Sequence, residues 1–203
     1  MSSADLLKQL AFIQEIDKLK YIQRRTKLFN SDRRENDAEH SWHLAMMTII
    51  LARQSDRPVD VLKVLKMVLI HDIVEIDAGD TFIFDTAKNH TNTTEERIAA
   101  KRIFGLLPKE QAQEFMTIWE EFEARETDEA KFARSMDRLE PLLQNVSNNG
   151  GTWAEYNIEY QQVMEKQNVH HGISSTIATY AEKLINESVK NGILKKADPG
   201  KQW

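Results

Sequence analysis

No cysteine occurs among the 203 residues, which excludes a disulfide framework and rules out a thiolate as nucleophile or metal ligand. Any reactive site must therefore be built from His, Asp and Glu. Glycine (seven) and proline (four) are scarce, too few to punctuate the many turns of an all-β fold. No apolar run approaches the ~20 residues of a membrane span. The opening MSSADLLKQLAFIQEIDKLK mixes acids and lysines in an amphipathic pattern unlike a signal peptide. A net charge of −5 argues against an extended nucleic-acid surface. A small anionic substrate is still compatible with that charge, since a few local arginines suffice. The expectation is a cytoplasmic protein with neither a membrane nor a nucleic-acid polymer as partner.

What is abundant is Leu, Ala, Lys, Glu, Gln, Met and Ile in long stretches, which favours helix. The apolar share of 41% is enough for a core and argues against disorder. Leu6, Leu7, Leu10, Ile13, Ile16 and Leu19 mark a first helix from about residue 4 to 22. An arginine-rich polar segment follows, with turn signals at Asn30-Ser31-Asp32. Asn36 or Asp37 caps a second helix to about Arg53, and Pro58 opens a third that ends near Ile76, helped by Gly79. Thr93 with Glu96 has capping-box spacing before a fourth helix, and Pro108 opens a fifth. Thr127 caps a sixth that stops at Asn148-Asn149-Gly150-Gly151. Thr152 with Glu155 repeats the box, and a last helix runs from about Ser174 to Val189, ending at Asn191-Gly192. The chain reads as one all-α domain over 1–203, a bundle of about seven or eight helices. Its chemistry falls in about 36–146, with C-terminal helices at about 152–190 packing on that core.

Three segments carry the chemistry. In Val68-Leu69-Ile70-His71-Asp72-Ile73-Val74-Glu75-Ile76, His71, Asp72 and Glu75 lie within about 100° of one another on an otherwise aliphatic helix. Such a helix is buried, and buried carboxylates must be paired or bind a metal. Two acids beside an imidazole repel each other, whereas a divalent cation satisfies all three. In Glu39-His40-Ser41-Trp42-His43, His40 shares a face with Leu44, Met47 and Leu51, while Trp42, Ala45 and Ile49 form a second apolar face. This second helix reads as an interior element. Spacing alone does not choose between His40 and His43. On the sixth helix, Asp137 sits at the edge of a stripe of Phe132, Ala133, Met136, Leu139, Leu143 and Val146, a position that also suits a surface acid or an arginine partner such as Arg138. His170-His171 reads as a helix-end pair.

The order His, His-Asp, distant Asp resembles the HD superfamily of metal-dependent phosphohydrolases, closest to the branch of bacterial 5′-deoxynucleotidases. The matching stretches are RRENDAEHSWHLA, VLKMVLIHDIVEIDAGDTF and ARSMDRLEPLL, preceded by LKYIQRR. The resemblance implies a helical HD fold and one divalent cation (Mn, Co, Fe, Zn or Mg) held by His40, His71, Asp72 and Asp137. It implies catalytic roles for Glu75 and Asp80 and a phosphate-binding role for Arg24, expected at the end of the first helix. It also implies a homodimer, although no heptad or exposed stripe in the sequence identifies an interface. The implied reaction is attack of a metal-bound water on a small phosphomonoester, a (deoxy)ribonucleoside 5′-monophosphate. Arg25 stands where those enzymes carry a tryptophan that helps to reject the ribose 2′-hydroxyl, so the reaction class carries over and the deoxy preference does not. Arg33 and Arg34 read as solvated loop residues. Two rivals stand beside this reading. An HD-type di-iron oxygenase needs additional histidines before the last Asp, where the chain offers only His90. A silent nucleotide-binding HD module has no use for Glu75 and Asp80.

Overall fold

The computed structural model describes residues 3–85 and 94–196. Its helices are α1 (Ser3–Ile16), α2 (Asp37–Leu51), α3 (Val61–Ile70), α4 (Glu75–Ala78), α5 (Thr94–Phe104), α6 (Lys109–Ala124), α7 (Asp128–Ser147), α8 (Gly151–Glu155), α9 (Tyr160–Gln167) and α10 (Ser175–Lys190). The all-α reading holds. Among the described residues the only sheet is an antiparallel pair, β1 (Gln23–Lys27) with β2 (Arg34–Asn36).

Local chemistry sets the helix starts. The Asn36 side chain accepts from the Glu39 N–H while Glu39 accepts from the Asn36 N–H, a complete capping box that launches α2. Thr127 and Ser174 cap α7 and α10 as expected. The third helix begins at Val61, three residues after Pro58, because the Asp60 carboxylate takes the Leu62 and Lys63 N–H groups. The Thr152–Glu155 box does not form. Gly150, at φ +98°, turns the chain into α8, and a Cβ there would lie 2.8 Å from the Ile193 carbonyl oxygen. Thr152 instead donates to Asn145 Oδ1 at 2.7 Å. Thr93 and the box expected there lie outside the described residues.

Two departures matter for the site. The first helix tightens to a 3-10 turn at Asp17–Tyr21 and then stops, and the arginine-rich segment folds back as the β1–β2 hairpin. Arg24 therefore sits on a strand, where the two-residue period turns Arg24 and Thr26 inward and Arg25 outward. The third helix likewise tightens at His71–Val74 into a 3-10 turn, ahead of the short α4, which Gly79 ends at φ +76°.

The core is centred on α3 and α7, with α2 and α6 packed beside them. Leu44, Val64, Met67, Val68, Phe132, Ala133 and Met136 are fully enclosed. The second face of α2 does not join it. Trp42, Met46, Ile49 and Ile50 are exposed, as are Leu6, Leu7, Leu10 and Ile13 of α1. Each helix thus presents an apolar stripe outward, correcting both the interior reading of α2 and the expectation of no exposed stripe.

Candidate metal centre

α2 delivers His40, the 3-10 turn after α3 delivers His71 and Asp72, and α7 delivers Asp137. Their donor atoms converge. His40 Nε2 lies 3.2 Å from Asp137 Oδ1 and 3.9 Å from Asp72 Oδ2. His71 Nε2 lies 3.0 Å from Asp72 Oδ1 and 3.9 Å from Asp137 Oδ1. Ligands about 2.1 Å from one ion stand roughly 3.0 Å apart at right angles, 3.4 Å in a tetrahedron and 4.2 Å when opposed. The observed separations fall in that range. All four residues are buried, and Asp137, at 3% exposure, belongs to the interior rather than to the edge its sequence position suggested.

The histidines are prepared for this role. His71 Nδ1 lies 3.0 Å from the Val68 carbonyl oxygen and donates to it, which turns Nε2 toward two carboxylates. That buried Nε2 has no hydrogen-bond partner. A lone pair aimed at acceptors is unfavourable until a cation or a proton sits between them. The donor set therefore fits a divalent ion. Behind His40, Nδ1 lies 3.4 Å from Glu35 Oε2 and 3.4 Å from Glu140 Oε2, near enough for the two carboxylates to bias the orientation of a ligating imidazole although neither distance closes a hydrogen bond. His43 stays at the periphery, with a 31% exposed side chain and its Nδ1 3.2 Å from Glu140 Oε1. Geometry thus separates the two histidines that spacing could not.

Three residues of this setting escaped the sequence reading: Glu35, Asp37 and Glu140, all buried. Glu140 carried a legible signal, an acid set between Leu139 and Leu142 one turn from Asp137. Glu35 and Asp37 carried none, because the hairpin and helix start that bury them were read as a polar loop and a cap.

Arg24 balances the acids. Its Nη1 donates to Asp72 Oδ2 at 2.9 Å and Asp37 Oδ1 at 3.1 Å, and its Nε lies 3.8 Å from Glu35 Oε2. Burial would raise the Asp72 carboxyl, but His71 and Arg24 outweigh it and hold it low. Burial would likewise raise Asp137, yet Arg138 and Arg134 keep it well below the usual carboxylate range. Glu75 goes the other way. Burial first, then the Asp72 and Asp37 charges, push it well above its ordinary value despite Arg24. Asp37 rises to about 6, chiefly through burial and Asp72, and Asp80 rises through burial. Asp37, Glu75 and Asp80 bring carboxylate oxygens within 4.8 Å of one another.

One cavity connects these groups. Arg24, His71, Asp72, Glu75, Asp80 and Asp137 line it, so every residue of the expected site except His40 opens directly onto it. Phe82, Trp119, Phe122 and Trp153 give it an aromatic wall, and Arg25, Arg134, Arg138 and Lys166 add positive charge. Arg33 and Arg34 are elsewhere, paired with Glu39 and Glu155. His170 lies at a helix end as expected, on the 3-10 turn that follows α9, and is buried there. Its Nδ1 accepts from Ser135 Oγ at 2.7 Å, its Nε2 donates to Gln167 Oε1 at 2.7 Å, and Gln167 Nε2 donates to the Arg138 carbonyl at 3.1 Å. His90 lies outside the described residues.

Comparison with known proteins agrees with this geometry. The chain is 29% identical over 136 residues to the 5′-deoxynucleotidase HDDC2 of Mus musculus, covering 66% of this chain and 67% of that protein. Its human counterpart is also 29% identical over 136 residues, covering 66% of this chain and 65% of that protein, so the match spans about two thirds of these relatives. A crystal structure from Magnetospirillum magnetotacticum MS-1, described as a predicted metal-dependent phosphohydrolase, superposes with a TM-score of 0.87 at 47% identity, covering 95% of this chain and all of that one. A conserved hypothetical protein of Pyrococcus furiosus shares the fold, with a TM-score of 0.64 at 23% identity over 89% of this chain and 99% of that one. The family model described as HD domain matches residues 16–177, and the chain belongs to the HD-domain family.

Proposed function

We propose that this protein is a metal-dependent phosphohydrolase of one HD-type domain that releases phosphate from a small phosphomonoester, a ribo- or deoxyribonucleoside 5′-monophosphate. The observation that carries the reading is the convergence of His40, His71, Asp72 and Asp137, whose histidine and carboxylate donor atoms face one another at 3.0–3.9 Å, with the buried His71 Nε2 lacking a hydrogen-bond partner. His40, His71, Asp72 and Asp137 would hold one divalent cation, drawn from Mn, Co, Fe, Zn or Mg. When bound, such an ion lowers the pKa of a coordinated water and offsets negative charge on the phosphoryl group. The name of the HDDC2 relatives supports the substrate class.

The remaining steps belong to the protein's own side chains. Glu75 lines the cavity beside Asp72, and its raised pKa suits a carboxyl that takes the proton of the attacking water. As the water oxygen bonds to phosphorus, the bond from phosphorus to the sugar oxygen breaks. Asp80, held protonated more readily than an ordinary aspartate, supplies the proton to that leaving alkoxide. Arg24 keeps Asp72 and Asp37 compensated and faces the phosphoryl group from the hairpin side. The aromatic wall receives the base.

A panel of ribo- and deoxyribonucleoside monophosphates, with chelator and then with metal add-back, tests the proposal. Phosphate release that chelator stops and metal restores is the expected result; no release from any phosphomonoester with any metal would refute it. Arg25 faces the cavity as an exposed residue, and the ratio of deoxy to ribo turnover measures what it does. A homodimer is part of the proposal. It is supported by the outward apolar stripes of Leu6, Leu10 and Ile13 on α1 and of Trp42, Met46, Ile49 and Ile50 on α2, which are larger than isolated surface hydrophobes. Light scattering should give twice the chain mass, falling to one chain for Ile13→Glu with Ile50→Glu. A cytoplasmic location belongs to the same reading, since nucleoside monophosphates are made and consumed there.

A further inference from the structure

Four arginines face the cavity, and one that is largely buried makes no side-chain hydrogen bond to the protein among the described residues. Arg24 donates to Asp72 and Asp37, with Glu35 behind it. Arg134 donates to Asp137 Oδ2 at 2.9 Å and lies 5.7 Å over the Phe122 ring. Arg25 is exposed at the surface. Arg138 is different. Its side chain is only 14% exposed, yet it makes no side-chain hydrogen bond among the described residues, and its nearest acid, Asp137 Oδ2, is 3.6 Å from Nη1. That distance is beyond a hydrogen bond.

Asp137 cannot satisfy both arginines. Its Oδ1 faces His40 and His71, and its Oδ2 serves Arg134 and Arg138 together. One carboxylate oxygen shared between two guanidiniums leaves Arg138 without a hydrogen-bonding acceptor of its own among the described residues. A largely buried cation without hydrogen bonds is unfavourable unless a ligand supplies the acceptors. The backbone beneath it is anchored, since Gln167 Nε2 donates to the Arg138 carbonyl and His170 holds Gln167. The fork of the guanidinium is therefore presented from a fixed base, one residue beyond the Asp137 that reaches the histidines.

We infer that Arg138 grips the phosphoryl oxygens of the substrate beside Arg24, whose own donors are partly engaged by the buried acids. The inference rests on the phosphohydrolase reading and deepens it, naming a specificity residue for a phosphate group carrying two or more free oxygens. A planar fork matches two such oxygens at once, which a lysine cannot do.

The test is calorimetric titration of inorganic phosphate into the metal-loaded protein for wild type, Arg138→Gln and Arg138→Lys, with bound metal and thermal midpoint measured on each sample. Arg138→Gln is expected to weaken phosphate binding roughly ten- to a hundredfold, the scale of a lost charged hydrogen-bond pair, with bound metal unchanged. Arg138→Lys keeps the charge and fold and should recover only part of the affinity. In turnover, KM for the monophosphate should rise in step while nucleoside binding is unaltered. Wild-type phosphate affinity in both variants overturns the inference, as does a loss of phosphate binding matched by loss of metal, which would make Arg138 a support for Asp137. A wild-type protein that hydrolyses monophosphates while Arg138→Gln binds phosphate normally sinks this inference alone. One that neither binds phosphate nor turns over any monophosphate sinks the parent reading with it.

Discussion

Replacing His170 with glutamine should flatten the acid side of the stability curve by an amount the structure specifies. His170 is fully buried, and in the neutral ring Nε2 donates to Gln167 while Nδ1 accepts from Ser135, so both partners are met without a charge. Burial, with the nearby His171 and Arg138 charges, lowers it from 6.5 to about 4. Between those values the unfolded chain binds a proton that the folded chain refuses, so the folded state loses stability as pH falls from 6.5 toward 4 and no further below. At about 1.36 kcal/mol per pH unit the loss is roughly 3 kcal/mol. The assay is urea unfolding from pH 4 to 7.5 in chelator, so that metal release does not contribute, for wild type and His170→Gln. The variant carries its own constant offset, and the informative quantity is the difference in slope. Acidic groups such as Asp37 and Glu75 titrate in both proteins and cancel. Parallel curves would mean that His170 accepts a proton in the folded state and that this hydrogen-bond chain is misassigned.

Other consequences are direct. Asp72→Ala should remove both metal and activity, while Glu75→Ala should retain metal and lose most of kcat; equal metal loss in the two would make Glu75 a ligand. Glu140→Gln weakens the orientation of His40 and should reduce metal affinity about 10- to 100-fold by competition with a chelating dye, and an unchanged affinity would leave Glu140 with a packing role only. Arg24→Ala leaves Asp37, Asp72 and Glu35 without their cation and should cost about 3–5 kcal/mol in urea unfolding of the metal-free protein, whereas a loss under about 1 kcal/mol would show the acids are compensated elsewhere.

How much of this was legible in sequence differs from residue to residue. His71 and Asp72 stood out because charge embedded in Val68-Leu69-Ile70 and Ile73-Val74 has no inexpensive interior partner. The helix starts at Asn36, Thr127 and Ser174 were readable because capping is local chemistry. Asp137 was misjudged because α7 is buried on more sides than one stripe suggests, with Ser135, Glu140 and Gln144 also enclosed. The hairpin was missed because three to five residues of arginine-rich strand carry no apolar alternation, and with it went the location of Arg24 and the burial of Glu35. Trp42 and Ile49 were placed inside because periodicity reports that a face is apolar and not what covers it. Arg138 was read only as an ordinary partner for Asp137, and its isolation emerges from the crowding of two guanidiniums on one oxygen.

The most direct measurement is the metal content of the purified protein by plasma mass spectrometry, for wild type, His40→Ala and Asp137→Ala. One divalent ion per chain in the wild type, with less than about a tenth of that in each variant, is the predicted result. A full complement of metal in either variant would show that the ion lies elsewhere and would contradict the four-residue centre.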